Sequence, residues 1–500
     1  MILQRSRSRI YQIIGVVLVL QYFLFFHTSN FTSFRHYLGT ANPDSKPVTT
    51  ITASLVQYVP SPETEIYDSE TPETASAVIM HTPTTSTESA GPDSTSLPPC
   101  PPGLQNVVIG VKTGASEAES KISALMATSL RCAHHVLLFS DLEQDIGPYH
   151  LHDSLDAVSP SITDNNPDFD LYFKQKELWE TKKDISELAG MKHPADPDVL
   201  AAWALDKYKF VHMLEKMWVM KPNMDWYVQI DGDTYVVMEN LLSWLKTLDP
   251  TKKSYIGSEV LIGDNSFAHG GSGALLSNAL MSELAHTNGT AARWDVRAQK
   301  ECCGDLVLSF ALGDFGSGIQ NVAPVINGER PGTVPFGPPM DNNYWCKPAV
   351  TFHHITAEDA AFLADIEMKR LRLNKPGPLT YTELFYDHVI PSLPPYRDNW
   401  DNQALDQVLG GKEVLAGSFD ECAQLCYADE ECLQYTHHND TCRIARFIRF
   451  GIERKADEDG MWRSGWQRDR LADWASRQPV CDQVKFPEQR YMDYPEKIDP

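Results

Sequence analysis

The sequence predicts an α/β fold: one domain on a mostly parallel sheet, followed by a small α+β module stapled by disulfides. Three observations carry this. Short β-branched apolar runs alternate with helical periodicities from Asn106 to Leu312, the pattern of parallel strands joined by crossover helices. Aspartates stand where two of those runs end, at Ser140-Asp141 and at Asp231-Gly-Asp233. Beyond the Pro-rich connection Pro391–Pro395 the character changes, and Cys422, Cys426, Cys432 and Cys442 crowd together.

Taken in order, Val107–Val111 reads as a buried strand, Ser116–Leu130 as a helix, and Val136–Phe139 as a second strand. Ala204, Tyr208, Val211, Leu214 and Trp218 recur at helical spacing ahead of a strand at Trp226–Ile230. Leucines return at helical spacing between Asn240 and Leu248. Next come Tyr255-Ile-Gly257 and a glycine-rich loop, Phe267-Ala-His-Gly-Gly-Ser-Gly-Ala-Leu-Leu-Ser277, expected to open into a helix. Leu306–Leu312 reads as a further helix, and Val350–Ile355 as a strand carrying His353 and His354.

A chain of 500 residues, 42% apolar and 22% charged, can bury a sizeable core and divides into more than one unit. Its formal net charge of -24 excludes nucleic acid as a partner, because binding to phosphate backbones draws on a basic surface. Residues 1–9 carry Arg5, Arg7 and Arg9 and precede an uncharged apolar run, Ile10 to Phe26. That order reads as a cytoplasmic tail and a transmembrane signal anchor at 10–26, with the rest of the chain lumenal. A cleaved signal peptide is the rival reading, against which Phe23, Phe25 and Phe26 stand where small residues would be needed.

Residues 27–100 are rich in Ser, Thr and Pro and too poor in bulky apolar side chains to fold, the composition of a stem. Ten cysteines fit an oxidising compartment, and Asn288-Gly-Thr and Asn439-Asp-Thr are candidate glycan acceptors. The layout is that of a single-pass type II protein of the Golgi membrane.

Asp231 and Asp233 follow a strand, where hard oxygen ligands can hold a divalent cation and, through it, a diphosphate. The pattern alone is weak: it recurs at Asp168/Asp170, Asp196/Asp198 and Asp457/Asp459, and an Asx turn would explain any of these. An imidazole from His353 or His354 would complete a site better suited to Mn²⁺ than to Mg²⁺. The glycines of 270–273 permit close approach to a ligand or simply a tight turn, and Asp305 could be no more than a helix cap.

Together these pieces resemble glycosyltransferase family 31, the group of the fringe proteins and core 1 β1,3-galactosyltransferases. The matching segments are Val108–Thr113, Asp206-Lys-Tyr-Lys-Phe210, Trp226–Val236, His269–Gly273, Gly304-Asp305 and Phe352-His353, in the family's order. The resemblance implies a GT-A (Rossmann-like) fold, a UDP-sugar donor, Mn²⁺, and transfer of a hexose or N-acetylhexosamine with inversion to give a β1,3 linkage. It implies metal ligation by Asp233 and His353, with Asp231 on the metal's outer shell or the ribose. It also implies donor contacts from Lys112, Thr113, Asp141, Lys207, Asp231 and Gly271, and Asp305 as general base. The acceptor would be a glycan or glycoprotein. Two departures stand out: Gly232 between the aspartates, and Gly304 in place of a second acid before Asp305. A non-catalytic glycan-binding or folding-helper protein on the same scaffold is the alternative, yet such a decayed scaffold should have lost the three aspartates.

The first domain is thus expected over residues 101–395, the disulfide module over 400–481 and a tail over 482–500. Cys422 to Cys442, after Ser418-Phe-Asp-Glu, is similar to the PAN/apple module, which implies a carbohydrate or protein ligand there. Four cysteines leave three pairings open, and adjacent Cys302 and Cys303 have no assigned partners.

Overall fold

A computed structural model describes residue 100 and residues 105–338, 344–406 and 409–494. The cytoplasmic tail, signal anchor and stem expected from the sequence lie outside the described residues, apart from Cys100. Among the described residues no helix is long and apolar enough to cross a membrane.

The first domain is built on an eight-stranded sheet: β1 (Val107–Lys112), β2 (His135–Ser140), β3 (Gln144–Ile146), β4 (Tyr149–Asp153), β5 (Trp226–Asp231), β6 (Tyr255–Gly257), β7 (Ala274–Ser277) and β8 (Ile319–Asn321). Their order is β8-β6-β7-β5-β1-β2-β4-β3. The block β5-β1-β2-β4 is parallel and β8 runs parallel to β6, whereas β7 is antiparallel to both its neighbours and β3 to β4. This is the mixed α/β architecture, parallel at its centre, that a GT-A fold requires.

All six residues of β1 are buried because helices cover both faces. Val107, Ile109 and Val111 pack with Ile122 and Leu125 of α1 (Ala118–Ala127) and with Leu241, Leu242 and Trp244 of a second helix, Met238–Leu245. Val108, on the opposite face, packs with Met213, Leu214 and Met217 of α2 (Lys209–Met220) and with Leu306, Leu308 and Phe310 of α3 (Gly304–Gly313). Gly110 lets α2 lie close on β1, since a Cβ there would sit 2.5 Å from Met217 Sδ.

Three expected elements differ. The strand expected at Val350–Ile355 is only Thr351–Phe352, so His353 and His354 lie just beyond its end, where His354 takes a positive φ of 55°. The end of the glycine-rich stretch, Ala274–Ser277, is the buried strand β7, which a four-residue apolar run does not reveal; the expected helix follows it at Asn278–His286. The periodic stretch 201–220 is two helices, Ala201–Asp206 and α2, broken at Lys207-Tyr208.

The last part of the chain forms a five-stranded antiparallel sheet with Phe419–Ala428 as a helix packed against it; Cys422–Cys442 and Cys426–Cys432 are its bridges. Its residues Trp400, Leu433, Ile448, Trp466 and Trp474 share one apolar cluster with Tyr235, Val237, Phe336 and Trp345. The Cys346–Cys481 bridge spans the same contact, and the segment that follows runs back along the first domain, where Phe486 stacks on Trp244 and Gln489 bonds Asp249 and Ser254. Cys100 pairs with Cys132, and Cys302 with Cys303.

Trp474 is 5% exposed and packs edge-on against Trp345 at 5.3 Å. Trp474→Ala is expected to cost about 3–5 kcal/mol and to shift a single urea transition of the whole chain; an unchanged transition for the first domain would show the two parts to be energetically separate.

Candidate functional site

The carboxyl ends of the parallel strands meet at one edge, where Lys112 pairs with Phe139 on one side and Asp231 on the other. Here the chain leaves β1 in one direction and returns at β5 in the other, the switch point at which open α/β sheets bind ligands. Three residue groups converge on it.

The first is a buried charge network. Lys112 Nζ lies 2.5 Å from Asp206 and 3.0 Å from Asp231; Lys209 Nζ lies 3.4 Å from Asp206 and 3.5 Å from Asp141 and donates to the Thr113 carbonyl at 3.1 Å. Burial alone would lower Lys112, but Asp206 and Asp231 more than reverse that and hold its ammonium above the usual range. Burial pushes the Asp231 carboxyl up, and Lys112 offsets only part of it. Asp141 is fully buried; one oxygen accepts from the Ala115 N–H and the other has no hydrogen-bond partner.

The second group surrounds Asp233. Two-residue strands, Tyr235–Val236 and Thr351–Phe352, pair antiparallel and so bring His353 to the turn that carries Asp233. His353 Nδ1 is 3.5 Å from Asp233 Oδ1, while Asp233 Oδ2 faces Lys121 Nζ at 3.4 Å. Asp233, His353 and His354 each offer one ligand atom within 4.8 Å of the others. Burial holds His353 well below the ordinary imidazole range against the pull of Asp233, so a neutral nitrogen is on offer. At Asp233 burial opposes ionisation, but His353 and Lys121 outweigh it and keep the carboxylate charged. One oxygen and two neutral nitrogens suit a borderline divalent cation such as Mn²⁺.

The third is Asp305, in the first turn of α3. Cys303 is the cap residue, so the side chain is free of that duty and accepts from the Gly270 N–H at 2.9 Å and the Leu306 N–H at 2.9 Å. Burial pushes its carboxyl up, which neighbouring His269 opposes.

The glycine loop joins the second and third groups. Gly270–Ser272 is one 3-10 turn, its Gly270 N–H on Asp305 and its Gly271 carbonyl accepting from Thr234 at 2.6 Å. A Cβ on Gly271 would meet His353 Nε2 at 2.2 Å, and one on Gly304 would meet Phe210 at 2.3 Å. These glycines serve the approach of site residues to one another. Gly232 turns against Thr113, whose Cβ lies 3.2 Å from where a side chain would start.

Of the residues singled out from the sequence, Lys112, Thr113, Asp231, Asp233, Gly271, Asp305 and His353 gather at this edge. Lys207 does not: its ammonium pairs with Asp168 at 2.9 Å, and Asp206 and Lys209 beside it reach the network instead. Asp206 and Lys209 stand three residues apart in the quoted Asp-Lys-Tyr-Lys-Phe segment, on either side of the break at Lys207-Tyr208. Lys121 gave no signal in the sequence, and His269 stood in the quoted His269–Gly273 segment without an assigned role. In the rival Asp-x-Asp pairs, Asp168 is held by His193 and Tyr208, Asp457 by His438 and Trp462, and Asp196 accepts from the Asp198 N–H.

Gly271→Ala is expected to displace His353 and weaken Mn²⁺ binding by about 10–100-fold, read by calorimetry, with little change in melting temperature. Unchanged Mn²⁺ affinity would remove His353 from the ligand set.

Residues 103–322 match a family model described as Fringe-like. No curated protein matches the chain.

Proposed function

We propose that this chain, whose residues 103–322 match a Fringe-like family model, is a glycosyltransferase: a metal-dependent, inverting enzyme that moves a hexose or N-acetylhexosamine from a UDP-sugar to a glycan or glycoprotein, in a β1,3 linkage. The observation that supports it best is one loop, Gly270–Ser272, holding Asp305 on one side and His353 with Asp233 on the other. An acid-base group and a cation corner fixed to the same turn are what a single in-line displacement needs.

In this reading Asp233, His353 and His354 hold Mn²⁺, which when bound neutralises the charge of the departing diphosphate. Asp305 takes the proton of the acceptor hydroxyl as it attacks the anomeric carbon. Lys112 orients Asp231 toward the donor's ribose or the metal's outer shell, and Thr113 lines the same edge. The ten cysteines, five disulfides in the fold, suit the Golgi lumen beyond an N-terminal anchor. A carbohydrate or protein ligand for the C-terminal module belongs to the same proposal. A non-catalytic glycan-binding role would leave Asp305 only its hold on the Gly270 and Leu306 N–H groups.

Asp305→Asn is expected to lower turnover by roughly 10²–10⁴-fold while the Kd for the UDP-sugar stays within a few-fold, as measured by UDP release and calorimetry. An active variant would dismiss Asp305 as the base. Because burial raises its carboxyl and the base works only when ionised, kcat/KM should fall on acidification at a pH above the usual carboxylate range of about 4. A profile flat down to that range would contradict the assignment.

A further inference from the structure

At the far edge of the sheet, away from the switch point, the hairpin β3–β4 turns through Gly147 and sets two carboxylates against two imidazoles. Asp145 stands opposite His150, and Gln144 opposite Leu151. The next step of the ladder places Glu143 opposite His152, so Glu143, Asp145, His150 and His152 share one face while Gln144 and Leu151 are buried on the other.

The contacts are ordered in a way that simple surface ion pairing does not require. Glu143 Oε2 is anchored by the Asp153 N–H at 2.8 Å, which leaves Oε1 between the imidazoles, 2.6 Å from His150 Nε2 and 3.4 Å from His152 Nδ1. Glu143, His150 and His152 each offer a ligand atom within 4.8 Å of the others. Tetrahedral zinc ligands at about 2.0–2.1 Å from the metal stand roughly 3.4 Å apart, so only small adjustments are needed. The other nitrogen of His150, Nδ1, is held by Asp145 at 2.7 Å. A carboxylate on the far nitrogen of a ligating histidine fixes its tautomer and orientation, a recurring feature of zinc sites. Phe139 backs His152 at a ring distance of 6.0 Å.

We propose that Glu143, His150 and His152 bind one borderline divalent cation of the zinc class, with Asp145 as the positioning residue for His150. Two imidazoles and a carboxylate favour Zn²⁺ over Mg²⁺ or Ca²⁺. The ion would clip the edge strand β3 to β4, and with it the turn that descends from Asp141.

The test is Zn²⁺ binding by equilibrium dialysis on the full chain. Wild type is expected to hold one ion more than His150→Ala/His152→Ala, a double change at partly exposed positions. Asp145→Asn should keep the stoichiometry and lose about 10–100-fold in affinity at the hairpin. Zn²⁺ should also raise the melting temperature of wild type by more than that of the double variant. Equal stoichiometry in wild type and double variant would overturn the site, and unchanged affinity in Asp145→Asn would overturn the role of Asp145. Should the double variant fail to fold, Glu143→Gln decides in its place by the loss or retention of that one ion.

Discussion

An ammonium buried between two carboxylates, Lys112 with Asp206 and Asp231, is the constraint on which the rest of the site depends. It ties the ends of β1 and β5 to the helix Ala201–Asp206 and so sets the edge at which every other polar group converges. Removing one partner of such a buried pair leaves an uncompensated charge and costs about 3–5 kcal/mol. The wider network, Asp141, Asp206 and Asp231 with Lys112 and Lys209, holds three carboxylates against two ammoniums. An additional cation near Asp231 and Asp233 would relieve that imbalance.

The scaffold achieves this with unequal means. Long parallel pairing fixes β1, β2 and β5 relative to one another, whereas His353 reaches Asp233 through a ladder only two residues long. That short ladder is supported from behind: Tyr235 and Phe352 belong to the apolar cluster that continues into Trp466 of the C-terminal sheet and Trp474 of the helix Arg468–Ser476. The disulfide-bearing part of the chain therefore stands behind the histidine side of the site.

Much of this was legible in the sequence because strands with β-branched runs, and aspartates at their ends, are local signals. Trp226–Ile230 and Val107–Val111 read correctly for that reason. Ala274–Ser277 did not, since four apolar residues carry no period and only the neighbouring strands decide that they extend. Lys207 was favoured over Asp206 and Lys209 because a sequence motif does not say which side chains of a broken helix face inward. Lys121 and His269 act through contacts with residues far along the chain, which no local pattern encodes. The edge hairpin went unread as well: Gly147-Pro148 marks its turn, but its Glu-x-Asp and His-x-His pairing shows only once the two strands are in register.

The most direct measurement is UDP release from a panel of UDP-sugars, with Mn²⁺ and with chelator, in the presence of glycan acceptors. Turnover of at least one UDP-sugar that stops on chelation and returns with Mn²⁺ is the predicted result. Turnover indifferent to the chelator, or a folded chain that binds no UDP-sugar at all, would contradict the account.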